Sequence, residues 1–130
     1  MSDIVLATVN ARFQHAAFGL RCLFANLGEL REQAQIREWS LGVRERDVAE
    51  QLLALEPRIV GFSVFIWNVD ILTRVVALLK RLAPEVLIVI GGPEVSFEWE
   101  GTTLFETADY LVRGEGELAF AELCQTLLKG

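Results

Sequence analysis

Three short, nearly unbroken apolar runs divide this sequence: Ile4–Ala7, Arg58–Val64 and Val86–Ile90. Runs of this length are short for buried helices, and they lack the alternation of a strand with one wet face. They suit strands covered on both sides, as in a parallel sheet. Ala34–Trp39 instead alternates polar with apolar residues, which predicts a half-exposed strand. Tyr110–Arg113 makes a short fifth strand. Between these runs apolar residues recur at helical spacing: Leu20, Leu23, Phe24 and Leu27; Val48, Leu52 and Leu55; Leu72, Val75, Val76 and Leu79; Phe120, Leu123 and Leu127. Gly28 lies near the end of the first helix and Pro57 stops the second. Asn68 is expected to cap the third, with Asp70 in its first turn. Residues 94–108 are only weakly periodic.

Strands alternating with helices predict a parallel sheet with helices on both faces, joined by right-handed crossovers. The alternating second strand and the short fifth strand belong at the edges. The expected order is therefore 2-1-3-4-5, a five-stranded flavodoxin-like (Rossmann-type) α/β fold. With 130 residues, 52% of them hydrophobic, residues 1–130 read as one domain with a core of its own. A net charge of −6 argues against nucleic acid and against an anionic membrane surface. The longest apolar run, Ile59–Trp67, is too short to span a bilayer. Met1-Ser2-Asp3 begins no secretory signal, so the expected location is the cytoplasm. Cys22 and Cys124 fall on helical patterns and read as small buried hydrophobes rather than a disulfide.

In such a sheet ligands sit at the carboxyl ends of the strands, where the strand order reverses. That point lies between the first and third strands. The loop Asn10–His15, the strand end Gly61-Phe62-Ser63 and the turn Gly91-Gly92-Pro93 converge there, with Arg113–Gly116 on the same rim. Gly91 and Gly92 would let a ligand approach backbone, or simply make a tight turn before Pro93. Gly61, inside a bulky strand, also suggests close approach. Ser63 supplies a hydroxyl that either meets the ligand or caps the next turn. A phospho-acceptor domain would need acids where Asn10 and Ser63 stand, and a flavin site would need a hydroxyl-rich loop after the first strand. Gly114–Ala119 spells a dinucleotide fingerprint, but after the last strand and with two glutamates that repel pyrophosphate. Glu115 and Glu117 fit the first turn of the last helix, where the dipole favours carboxylates.

Four blocks in order carry a resemblance: the loop before Gly19-Leu20-Arg21-Cys22-Leu23, then Ile59–Ser63, then Val89–Glu94, then Tyr110–Glu117. The chain resembles the N-terminal cobalamin-binding domain of cobalamin-dependent radical S-adenosylmethionine enzymes. The resemblance implies that Ser63, followed by Val64, meets the cofactor's nucleotide base. It implies that Gly91, Gly92 and Pro93 line the slot for the nucleotide tail, and that Asn10, Ala11, Arg12 and His15 lie under the corrin ring. Gly114 and Glu115 would meet the corrin amides at the rim. The wider family pattern is D-x-H-x-x-G. With Gly19 as its glycine, the Asp and His positions fall on Gln14 and Ala16. His15, the only histidine, is offset by one. It either becomes the lower cobalt ligand through a loop shift, or the domain binds cobalamin without a histidine.

The family's iron–sulfur cluster needs three closely spaced cysteines, and two distant ones are present here. The resemblance therefore implies a cofactor module, with the cluster and S-adenosylmethionine on a catalytic domain in the same or a second chain, and a methyl transfer as the reaction. Trp67, Phe97 and Trp99 either pack locally or face the corrin or that domain. A cofactor-free interaction or regulatory module of the same fold, and a site for another nucleotide-like ligand, remain as alternatives.

Overall fold

The computed structural model describes residues 2–11, 18–65, 67–91, 103–112 and 117–129. Strands β1 (Ile4–Asn10), β2 (Ala34–Ser40), β3 (Ile59–Ser63), β4 (Leu87–Gly91) and β5 (Tyr110–Val112) form one parallel sheet in the order β2-β1-β3-β4-β5. Helices α1 (Phe18–Ala25), α2 (Glu45–Leu53), α3 (Val69–Leu82), α4 (Thr103–Thr107) and α5 (Glu117–Lys129) alternate with them. A 3₁₀ segment, Gly28–Gln33, leads into β2. Its first residue has φ +61°, a left-handed conformation that suits glycine. The topology and edge strands are those the apolar patterning predicts.

Each strand sends alternate side chains to opposite faces, and two apolar layers result. Val5, Ala7 and Val9 of β1 pack with Val60 and Phe62 of β3 against α2 and α3. Ile4 and Leu6 of β1 pack with Ile59 and Val89 against Phe120, Ala121 and Cys124 of α5. Helix α3 buries Ile71, Leu72, Val75, Val76 and Leu79 along one stripe. It carries Asp70 in its first turn and Lys80 and Arg81 in its last, matching the helix dipole. Truncating a fully buried leucine such as Leu72 or Leu79 is expected to cost about 2–5 kcal/mol.

Strand β1 runs three residues past the apolar stretch that announces it. Thr8 is fully buried there, and its hydroxyl donates to the Ser63 carbonyl at 2.8 Å. Asn68 holds the N-cap position of α3 but does not cap it. Its Oδ1 instead accepts the Phe65 N–H, at 2.7 Å, from the preceding loop. At the amino end of the sheet Lys80 Nζ donates to the carbonyls of Pro84 and Val86 and to Asp109 Oδ2, each at 2.9 Å. Among the described residues, no helix is long and apolar enough to cross a membrane.

Candidate functional site

The β1–β3 ladder stops at Ala7↔Phe62, whereas β1 stays paired with β2 as far as Asn10↔Ser40. Strands β1 and β3 thus part at their carboxyl ends, at the point where the strand order reverses. Ser63 stands at the end of β3, beside Gly91 of β4.

Side chains bridge the gap. Asn68 Nδ2 lies 3.1 Å from Thr8 Oγ1, 3.0 Å from the Val9 carbonyl and 3.2 Å from the Ser63 carbonyl. Trp67 Nε1 donates to the same Val9 carbonyl at 3.2 Å. The Trp67 ring stacks on Phe65, with centroids 4.5 Å apart and planes within 5°. Trp67 remains 37% exposed, so a flat aromatic surface faces outward at this end of the sheet.

Of the residues expected at the site, the structure brings Asn10, Ala11, Ser63, Val64 and Gly91 to strand ends or just beyond them. Asn10 Nδ2 donates to Glu38 Oε1 at 3.0 Å, and its carbonyl accepts the Leu41 N–H. Ser63 is 6% exposed, and its carbonyl is held by Thr8 and Asn68. Val64 is fully buried and donates its N–H to the Gly91 carbonyl at 2.7 Å. Arg12, His15, Gly92, Pro93, Gly114 and Glu115 lie outside the described residues, as do Phe97 and Trp99.

Gly61 has an internal reason to lack a side chain. It is buried in the middle of β3, and a Cβ there would meet the Phe120 ring at 3.0 Å and Leu6 Cδ2 at 3.3 Å. The close approach that this glycine permits is made by an aromatic side chain of α5. Gly91 likewise has an internal reason to lack a side chain, because a Cβ would lie 3.0 Å from the Val112 carbonyl oxygen of β5. Thr8 is an addition to the residues expected at the site, and Asn68, expected only as a helix cap, is another. The one local signal for Thr8 is a lone polar residue between apolar neighbours just after the first run.

The polar groups described around the gap are mostly neutral amides, hydroxyls and carbonyls, with Glu38 on the outer strand. Among the described residues no group of three His, Cys, Asp or Glu could hold a metal ion. The Cys124 thiol lies away from the gap against the core of α5, and burial pushes its pKa up to about 12. The described residues offer one exposed aromatic ring and a few fixed polar groups at this end of the sheet, features that ligand sites use for contact and orientation.

An open parallel sheet in the order β2-β1-β3-β4-β5 with helices between its strands defines a doubly wound α/β domain. Residues 4–124 match the family model of the B12 binding domain, and the chain belongs to that family. It is 40% identical over 77 residues to the cobalamin-dependent radical SAM methyltransferase TokK of Streptomyces tokunonensis, a match covering 57% of this chain and 11% of that protein. It is 37% identical over 86 residues to the uncharacterized methyltransferase PH0819 of Pyrococcus horikoshii, covering 65% of this chain and 18% of the relative. The chain thus spans less than a fifth of either relative's length. A cobalamin-binding protein from Desulfitobacterium hafniense DCB-2 superposes with TM-score 0.67 at 22% identity, over 97% of this chain and 58% of that one. A response-regulator receiver domain from Colwellia psychrerythraea 34H fits about as well, with TM-score 0.66 at 11% identity over 98% of this chain and 100% of that one. These two likenesses speak for the fold alone.

Proposed function

We propose that this domain binds cobalamin across the carboxyl ends of β1, β3 and β4, as the cofactor module of a radical S-adenosylmethionine methyltransferase. One observation carries the reading: the B12-domain match runs from residue 4 to residue 124 and so includes every strand that borders the crevice. The residues present suit the ligand. A corrin is a broad, largely apolar ring fringed with amides, and the crevice offers neutral anchors and the exposed Trp67 ring stacked on Phe65. Ser63 and Val64 would meet the nucleotide base, with Gly91, Gly92 and Pro93 along the tail. Asn10, Ala11 and Arg12 would lie under the ring, with Gly114 and Glu115 at its rim. Gly61 is left out of this set, because Phe120 fills the space beside it. His15 is the one candidate for a lower cobalt ligand, and binding without a histidine is the competing arrangement.

Bound cobalamin would supply a cobalt centre able to carry a methyl group. This chain's own residues bind and orient it and keep water from its tail. An iron–sulfur cluster and S-adenosylmethionine belong, on this reading, to a separate catalytic domain.

The test is to mix the domain with hydroxocobalamin or methylcobalamin, desalt, and record the visible spectrum. Red colour eluting with the protein is expected, and Ser63→Ala should weaken retention. A spectral change in His15→Ala would make His15 the lower ligand; retained colour with an unchanged spectrum would mean binding without it. A colourless protein fraction sinks the cobalamin reading and favours a cofactor-free interaction module.

A further inference from the structure

Asn68 is fully buried, and its entire side chain is spent across the gap between β1 and β3. Its amide nitrogen reaches Thr8 Oγ1 and the Val9 carbonyl on one lip, and the Ser63 carbonyl on the other. Its oxygen takes the Phe65 N–H, which fixes the loop that carries the aromatic stack. An asparagine at a helix N-cap ordinarily accepts an N–H from the first turn of its own helix. Here that local bond is given up for partners as distant as 60 positions along the chain. The Ser63–Val64 peptide is held on both sides: its carbonyl by Thr8 and Asn68, its N–H by the Gly91 carbonyl. The Val9 carbonyl is shared by Asn68 and the Trp67 indole, so one amide ties the strand end, the Ser63 backbone and the exposed ring together.

We infer that Asn68 is the positioning residue of the crevice: it sets Ser63 and the Phe65–Trp67 stack in their ligand-ready places before any ligand arrives. A site held in its bound geometry loses less freedom on binding, so the latch contributes to affinity without touching the ligand. The inference deepens the cobalamin reading and rests on it for the identity of the ligand.

The experiment uses Asn68→Asp, which keeps the oxygen that accepts the Phe65 N–H and replaces the donor that faces Thr8, Val9 and Ser63. It is made in a background carrying Trp39→Phe and Trp99→Phe, so that Trp67 is the sole indole. Two quantities are read well below the melting temperature: Trp67 emission without ligand, and affinity for methylcobalamin. The expected result is a red-shifted emission and an affinity loss of about tenfold or more, with far-UV circular dichroism unchanged. An affinity equal to the parent's overturns the inference, whatever happens to melting temperature, because Asn68 would then serve stability alone. An unmoved Trp67 emission overturns it too. Should Asn68→Asp fail to fold, Thr8→Val removes one partner of the latch in a residue of similar size, and the same two readouts decide. If the unmutated domain does not bind cobalamin, the reading of function fails, while the Trp67 emission still decides whether the latch exists.

Discussion

The two ends of the sheet are held together by different means. At the amino end the lacing is mostly backbone. Ser2 N–H donates to the Leu55 carbonyl, Arg58 and Ile59 donate to the Asp3 carbonyl, and Leu87 donates to the Arg58 carbonyl. Side chains add to it: the Lys80–Asp109 ion pair at 2.9 Å, whose carboxylate also accepts the Ile88 N–H at 2.7 Å, and a bond from the Gln35 amide to the Ser2 hydroxyl. At the carboxyl end, between β1 and β3, the ladder has run out and neutral side chains take over: Thr8, Asn68 and Trp67. Backbone lacing is available to almost any sequence of this topology. The bonds of the carboxyl end depend on particular residues, and that end is where substitution can change the ligand without changing the fold.

The contrast gives ordered expectations. Among the side-chain bonds at the two ends, the largest stability effect should follow Asp109→Ala, which strips Lys80 of its carboxylate and Ile88 of its acceptor. A loss of about 2 kcal/mol is expected for hydrogen bonds to a charged group, read by urea denaturation, with cobalamin affinity measured at low temperature unchanged. A parallel loss of affinity would break the separation of the two ends. Thr8→Val comes next, at about 1 kcal/mol for a neutral buried hydrogen bond, and here affinity should fall along with stability. Arg74→Ala removes an exposed pair with Glu45 at 3.6 Å. Its melting temperature should barely move, since such pairs contribute about 0–1 kcal/mol. The smallest signal is expected from Cys124. Burial raises its pKa from 9.0 to about 12, so the thiol stays protonated at pH 8 and should resist alkylation until the protein is unfolded. Because the folded pKa is the higher one, any stability linked to this group is full below pH 9 and declines as pH rises toward 12.

The strand order could be read from the sequence because burial leaves a local trace. Strands covered on both faces are continuous in apolar residues, and β2 mixes in polar ones because, at the sheet edge, most of its residues are half-buried or exposed. The crevice could be located for the same reason, since strand order fixes where the chain reverses. What holds the crevice could not be read. Asn68 beside a helical pattern carries every local mark of a cap, and its true partners, Thr8 and Val9, are neighbours only after folding. Gly61 was legible as a place of close approach, but nothing near it in sequence names Phe120 as the group that comes close. Thr8 breaks an apolar pattern, and so ends the run that announces β1 three residues before the strand itself ends.

The placement of β1 between β2 and β3 also matters while the chain is being made. Strand β2 is synthesised before β3, so β1 can pair on one side while its other edge waits. At about 5–20 residues per second of synthesis the wait is on the order of seconds. During it the edge that β3 will cover, and the side chains of Val5, Ala7 and Val9, face solvent or a chaperone rather than the finished core. An open apolar edge is a template for pairing with other chains. A chain released before residue 63 would therefore be expected to aggregate, although in the finished sheet β1 is paired on both sides.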